Sequence, residues 1–113
     1  MPAIWRRVAG GVLSMVPTIE ELRIQCRIDS EDATDDQVLE LYCLAAKRRA
    51  ENYINRTLHD ESVPEGDSEG LVISPDIKLA LMLAVGFWYE NREAQSVPAG
   101  FFSILEPYRF IPL

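Results

Sequence analysis

The densest group of potential metal ligands in the chain is a run of carboxylates. Five of the eight residues from 29 to 36 are acidic, and Glu40 is the twelfth residue counted from Asp29, as in a calcium-binding loop. Such a loop requires glycine at its sixth position and an oxygen ligand at its fifth, where this chain has Thr34 and Ala33. We therefore interpret the run as the start of a helix capped by Thr34, since acids are favoured at the positive end of a helix.

A second group of charged side chains, Glu90, Arg92 and Glu93, follows a long apolar stretch. Two carboxylates beside a guanidinium could form an acid–base pair with an anchor for a substrate. A solvated helix end, or a salt bridge between two subunits, accounts for the same residues without any converging geometry. We therefore expect no catalytic role for them.

The rest of the chain offers little for catalysis or metal binding. His59 is the only histidine, which leaves no basis for a histidine-ligated metal site or a Ser–His triad. Cys26 and Cys43 form no CxxC motif, and we expect two buried, reduced thiols. The sequence contains no phosphate-binding loop, nucleophile elbow or dinucleotide-binding fingerprint. It thus predicts a protein that is not an enzyme and that uses no cofactor or metal.

The composition is that of one ordinary globular domain with an acidic balance. The 113 residues include 18 acids and 11 bases, a formal net charge of −7. This charge argues against nonspecific binding to nucleic acid or to an anionic membrane. The longest nearly continuous apolar run, residues 79–89, is well short of the ~20 residues that span a bilayer. We therefore expect a cytosolic protein without a membrane partner.

Local signals predict an all-α fold, a small bundle of two long helices and two short ones. A capping box at residues 18–21 begins the first helix, and Ser74 followed by Pro75 begins the third. A long acidic loop, residues 59–70, separates the two long helices, and a proline-containing extended tail ends the chain. The predicted helices are 19–26, 35–57, 75–93 and 101–105. Residues 1–16 are predicted to form an N-terminal arm, and residues 17–113 a single helical domain.

The predicted helix at 75–93 is apolar around its whole circumference, and such a helix must be covered on every face. A chain this short has little material for that purpose, so we expect a second subunit to complete the cover. Leu41 and Leu44 fall on the polar side of the preceding helix and indicate a further contact surface. The residues predicted to form the subunit interface are Leu41, Leu44, Arg48, Phe87, Trp88, Tyr89, Glu90 and Arg92.

Six segments, taken in this order and spacing, resemble the head–tail connector family of long-tailed bacteriophages. They are PTIEEL at 17–22, RID at 27–29, DDQVLELY at 35–42, AENYINR at 50–56, WYENREA at 88–94 and PYR at 107–109. The resemblance implies a non-catalytic virion protein that forms a ring beneath the portal, twelve-fold in the virion. Such a ring extends the DNA channel after packaging and offers the tail a docking surface. The first 15 residues do not follow the family pattern.

The resemblance also implies partners and a location, and we add our own hypotheses for the remaining surfaces. The partners are further copies of the chain, the portal protein and a tail-completion or tail-terminator protein, with genomic DNA passing through without sequence-specific binding. The expected location is the head–tail junction of the virion, reached from the host cytoplasm. Portal docking is assigned to the tail residues Tyr108, Arg109, Phe110 and Ile111. The lumen or the tail side is assigned to the loop residues Asp60, Glu61, Glu65, Asp67 and Glu69.

The alternative function is a small helical DNA-packaging accessory or regulator that binds nucleic acid. Its contact residues would be Arg6, Arg7 and the basic cluster at 47–49. Salt-dependent DNA binding would distinguish this function from a ring-forming adaptor.

Overall fold

Loops and one pair of very short parallel strands connect the helices of this chain. A computed structural model describes residues 15–112, so all but two residues of the predicted arm lie outside the described part. The helices are α1 Ile19–Gln25, α2 Asp36–Ile54, α3 Pro75–Glu90 and α4 Ala99–Leu105, followed by a 3₁₀ turn, Glu106–Tyr108. The strands are β1 Leu58–His59 and β2 Leu71–Val72. The predicted all-α fold class is confirmed.

Helix α1 begins with the predicted capping box. The Thr18 hydroxyl accepts a hydrogen bond from the Glu21 amide at 3.2 Å, and the Glu21 carboxylate accepts one from the Thr18 amide at 2.9 Å. The helix ends at Gln25 because Arg27 adopts a left-handed conformation with φ of 60°. The Ile28 amide then donates back to the Arg23 carbonyl at 2.8 Å and closes the helix end.

Helix α2 differs from its prediction at both ends. Asp35 is the N-cap residue, and the prediction of Thr34 was wrong because the Thr34 amide bonds to the Asp32 carboxylate in the preceding turn, at 3.0 Å. The helix ends at Ile54, three residues earlier than predicted, because Asn55 is left-handed with φ of 63°. The chain then turns into β1.

Helix α3 is the central helix, and its own chain covers most of it. It packs against α1, α2 and α4, and small residues at Ala80 and Ala84, both fully buried, permit this close approach. Leu79 is half-exposed, whereas Leu83 and Phe87 are half-buried. The other helices of the chain thus cover more of α3 than the sequence suggested, and Leu79, Leu83 and Phe87 mark the side that they leave partly open.

The ends of α3 also refine the prediction. Ser74 is the N-cap by position, but its hydroxyl donates to the Asp76 carboxylate and does not bond to a helix amide. The helix ends at Glu90 and not at residue 93, because Asn91 leaves the helical conformation, with φ of −130° and ψ of 69°. The amide and the side-chain NH₂ of Asn91 both donate to the Phe87 carbonyl, at 2.9 and 3.0 Å, and cap this end. Residues 91–93 therefore belong to the following turn.

The two strands close the base of the acidic loop. They pair in parallel, with Leu58 opposite Leu71 and His59 opposite Val72. Strand β1 leads into the loop and β2 directly follows it. A two-residue strand carries no alternating pattern that sequence analysis can detect.

The C-terminal tail folds back on α2. Its first three residues form the 3₁₀ turn, so the prediction of a wholly extended tail was wrong there. The Phe110 amide donates to the Ile54 carbonyl at 2.8 Å, which satisfies an unpaired carbonyl at the end of α2. Phe101 and Leu105 of α4, both fully buried, complete the core beneath the tail.

None of the helices within residues 15–112 has the length and apolar character needed to cross a membrane.

Candidate functional site

The outer face of α2 carries two large exposed apolar side chains. Leu41 is 62% exposed and Leu44 is 65% exposed, three residues apart on the helix. The core-facing residues of α2 are buried at helical spacing and complete the core without them: Leu39, Cys43, Ala46, Ala50 and Ile54. Leu41 and Leu44 are therefore free to contact another molecule.

Beside Leu41 lies an apolar groove of about 480 Å³ between α2 and the end of α3. We call it the Trp88 groove; it is lined by Leu41, Tyr42, Ala45, Arg49, Trp88, Arg92, Ala94 and Gln95. The rings of Tyr42 and Trp88 pack with their centroids 5.9 Å apart. The Trp88 indole donates to the Ser96 carbonyl at 2.9 Å and so holds the segment after α3 in place.

Trp88 was predicted as an interface residue, and the structure places it mainly in the chain's own core. It is only 8% exposed, so its packing energy belongs chiefly to the folded subunit. The part of Trp88 that lines the groove is small. Any contribution to assembly is limited to this exposed edge.

Tyr89 and Arg92, also predicted at the interface, join the end of α3 to the start of α2. The Tyr89 hydroxyl donates to the Asp35 carboxylate at 2.7 Å, and this hydrogen bond raises the pKa of Tyr89. The Arg92 guanidinium lies 3.6 Å from the same carboxylate and 4.9 Å from the centre of the Tyr89 ring. Arg92 remains 51% exposed, so it retains donors for a further partner. Glu90 and Glu93 are exposed.

The acidic loop is anchored near its ends and free at its tip. The Asp60 carboxylate accepts hydrogen bonds from the amides of Met15 and Val16, at 3.1 and 3.3 Å. The His59 ring and the Asp67 carboxylate lie 2.6 Å apart. Between these anchors, residues 61–65 are all exposed, and we call this segment the loop tip. Of the acids predicted to face the lumen or the tail side, Asp60 and Asp67 therefore anchor the loop, whereas Glu61 and Glu65 are exposed at its tip.

Glu69 lies on the far side of the loop tip, where the chain approaches α2. It is half-buried and lines a polar hollow with Arg48, Arg56 and Asp67. Arg48, the remaining predicted interface residue on α2, is highly exposed and lies 3.9 Å from Glu51.

The tail residues predicted to dock on the portal are partly engaged within the chain. The Tyr108 hydroxyl donates to the Asp76 carboxylate at 2.6 Å; hydrogen bonds from Ser74 and Tyr108 lower the pKa of Asp76. The Arg109 guanidinium lies 4.6 Å from the centre of the Tyr53 ring and donates to the Tyr53 carbonyl at 3.1 Å. Phe110 is half-buried, whereas Ile111 is 60% exposed.

The basic cluster on α2 is largely paired with neighbouring groups. Lys47 lies 3.5 Å from Glu51, which also contacts Arg48, and Arg49 donates to the Gln95 carbonyl at 2.8 Å. Arg6 and Arg7 lie outside the described residues. Arg49 was not predicted as part of an assembly surface, because the sequence does not reveal that the segment after α3 lies beside it.

The acidic run before α2 holds helices together. Arg23 of α1 donates to both oxygens of the Asp36 carboxylate and to the Ser30 carbonyl, and these contacts were not predicted from sequence. Burial raises the pKa of the Cys26 and Cys43 thiols. In the described part of the chain, no three or more His, Cys, Asp or Glu side chains are grouped in a way that could hold a metal ion.

The comparisons with known proteins bear on the whole domain. No curated protein and no solved structure matches the chain. Residues 17–109 match the family described as phage gp6-like head–tail connector proteins, and this range includes the four helices and two strands found within residues 15–112. Because the match covers most of its 113 residues, the chain belongs to the gp6-like head–tail connector family of phages.

Proposed function

We propose that the protein is a ring-forming adaptor below the portal, which extends the DNA channel after packaging and provides the tail with an attachment surface. Membership of the connector family makes it a structural component of the head–tail junction that assembles with portal and tail proteins. The observation that carries the ring proposal is the pair of exposed leucines on α2, Leu41 and Leu44, beside an apolar groove. The proposed ring is twelve-fold in the virion and assembles in the host cytoplasm.

Burial of Leu41 and Leu44 would supply a useful part of the energy of each lateral contact. Complete burial of one leucine side chain is worth about 1.5–3 kcal/mol. Since both side chains are roughly three-fifths exposed, their burial against a neighbour would contribute about 2–4 kcal/mol per contact. Twelve such contacts around a closed ring would reinforce one another.

The proposed portal contact is the tail from Tyr108 to Ile111. Arg109 and Phe110 hold this tail against α2, so the exposed side chain of Ile111 is presented from a fixed position. An apolar side chain held in this way loses little freedom when a partner covers it.

The acidic loop is proposed to face the lumen or the tail side of the ring. Carboxylates along a channel repel phosphate and allow DNA to slide without being held. The overall charge of −7 supports this placement.

The ring proposal is tested with the purified chain and a variant of its α2 surface. We expect the native chain to form rings by light scattering and negative-stain imaging, alone or on the portal. The double variant Leu41→Glu, Leu44→Glu should remain monomeric with an unchanged circular dichroism spectrum. Ile24→Glu is the matched control, because Ile24 is 73% exposed on α1 and should leave assembly intact.

The outcomes separate the function from the surface that serves it. A native chain that stays monomeric alone and with the portal would reject the adaptor function. Rings formed by the leucine variant would reject only the α2 surface.

Assembled rings with all five loop acids changed to amides test the channel placement, and unchanged DNA retention and tail joining would contradict it. The variant Ile111→Asp should lose portal binding while still forming rings, and retained binding would reject the tail contact.

A further inference from the structure

Two surfaces of this subunit, the Trp88 groove and the loop tip, have complementary chemistry. The groove has an apolar floor that includes Leu41 and Trp88, with the cations of Arg49 and Arg92 beside it. The loop tip carries one apolar side chain, Val63, between two acids, Glu61 and Glu65. An apolar side chain flanked by acids matches an apolar floor flanked by arginines.

The groove arginines are available to a partner. Arg49 is exposed and uses one nitrogen to donate to the Gln95 carbonyl, and Arg92 is half-exposed beside Asp35. A guanidinium has five N–H donors, so each of these side chains can bind a carboxylate while keeping its present contact. The groove therefore presents positive charge on the surface of an acidic protein.

The loop tip is equally free to bind. Val63 is 37% exposed, and among the described residues neither Glu61 nor Glu65 takes part in a hydrogen bond or ion pair. Pro64 restricts the backbone, and a turn follows in which the Asp67 amide donates to the Pro64 carbonyl at 3.2 Å. The tip is thus displayed by a constrained loop.

The two surfaces lie towards opposite ends of the bundle. Helices α2 and α3 are antiparallel, since the hydroxyl of Tyr89 near the end of α3 contacts Asp35 at the start of α2. The groove lies beside the end of α3, whereas the loop leaves from the end of α2 and returns to the start of α3. A contact between two different surfaces of identical subunits is head-to-tail, and it closes into a ring when the rotation between subunits permits.

We propose that the loop tip of one subunit docks in the Trp88 groove of the next, with Val63 on the apolar floor and Glu61 and Glu65 paired with Arg49 and Arg92. This inference rests on the proposed ring function and assigns the two sides of its lateral contact. Docking places Glu61 and Glu65 against the neighbouring subunit, so that of the five loop acids only Asp60, Asp67 and Glu69 remain to face the lumen or the tail side.

Disulfide trapping tests the contact directly. A chain with Val63→Cys and Ala45→Cys, in a background of Cys26→Ser and Cys43→Ala, places one thiol on the tip and one in the groove. Mild oxidation should produce a ladder of covalent oligomers, since each subunit links to the next. Either single cysteine alone should produce no ladder, and neither should Val63→Cys combined with Glu31→Cys, an exposed position outside the groove.

Charge reversal tests the pairing. Glu61→Lys with Glu65→Lys should reduce the ladder about tenfold or more at low salt, and adding Arg49→Glu with Arg92→Glu should restore it. The same reversal at Glu20 and Glu31, both exposed and outside the loop, should leave the ladder intact.

Two results would overturn the inference. One is a native chain that forms rings while the Val63–Ala45 pair does not cross-link, which rejects this contact and leaves the adaptor function standing. The other is a ladder unaffected by charge reversal, which rejects the proposed pairing. A native chain without rings, alone or on the portal, rejects the adaptor function itself.

Discussion

Glu21 shows how one side chain can serve both its own helix and a distant one. Its carboxylate completes the capping box of α1, and it also accepts a hydrogen bond from the Lys78 ammonium on α3 at 2.6 Å. Burial tends to raise the pKa of Glu21, but the hydrogen bonds from Lys78 and Thr18 outweigh burial and lower it below its ordinary value of 4.5. The ionised form is therefore favoured in the folded chain.

Glu21→Gln should remove a part of the pH dependence of stability. Because the folded pKa lies below the unfolded one, the contribution of Glu21 is present above about pH 5 and is lost as the pH falls through the folded pKa. We expect Glu21→Gln, which retains an oxygen for the capping box, to lower the free energy of unfolding by about 0.5–1 kcal/mol at pH 7, since the pair is partly exposed. The difference should shrink as the pH falls from 5 towards 3.

Urea unfolding at pH 7, 5 and 3, followed by circular dichroism, measures this effect. Glu20→Gln is the control, because Glu20 is exposed on the same turn. An equal loss of stability at pH 3 and pH 7 would contradict the role assigned to the Glu21 charge.

At the scale of elements, the end of α2 determines where the next part of the chain begins. Asn55 is left-handed, and its amide and that of Arg56 both return to the Glu51 carbonyl, at 2.8 and 3.4 Å. The Glu51 carboxylate also accepts a hydrogen bond from the Leu58 amide at 2.8 Å, at the start of β1. Glu51 therefore links the end of α2 to the start of the strand pair.

Asn55→Ala and Asn55→Gly should have different effects on stability. Alanine is strained at a φ of 63°, so we expect Asn55→Ala to lower the free energy of unfolding by about 1 kcal/mol. Glycine adopts this conformation freely, and Asn55→Gly should remain within about 0.5 kcal/mol of the native chain. Chemical denaturation distinguishes the two; equal effects would indicate that the left-handed cap is not what ends α2.

At the scale of the whole molecule, stability and assembly depend on different residues. Trp88 lies in the core, whereas Leu41 beside it on the groove is mostly exposed. Both were predicted as interface residues, and the structure separates them because burial within the subunit leaves Trp88 little surface to offer.

Trp88→Ala and Leu41→Ala should therefore affect different measurements. Truncation of a buried tryptophan to alanine costs about 3–5 kcal/mol, so Trp88→Ala should lower the melting temperature strongly. Leu41→Ala should change the free energy of unfolding of the monomer by about 0.5 kcal/mol or less and should weaken ring formation. Thermal unfolding at low concentration and light scattering at high concentration measure the two effects. A Trp88→Ala chain with native stability would contradict the core assignment.

Local features of the fold could be predicted from the sequence, whereas features that depend on distant contacts could not. The capping box of α1 and Pro75 at the start of α3 follow from neighbouring residues, and both were confirmed. The cover of α3 was misjudged because periodicity shows which residues are apolar and not which elements pack on them. The groove was missed for a similar reason, since Arg49 and Gln95 come together only through the packing of α2 and α3.

The strand pair at the base of the acidic loop has an entropic consequence. Its backbone hydrogen bonds, from Leu71 to Thr57 and from Ile73 to His59, both at 2.9 Å, join the ends of the loop when the subunit folds. The closure entropy of a loop of this length, about 2 kcal/mol, is therefore already lost before any partner arrives. A partner that meets the loop restricts only the remaining motion of its exposed residues, so two hydrogen bonds inside the subunit strengthen a contact outside it.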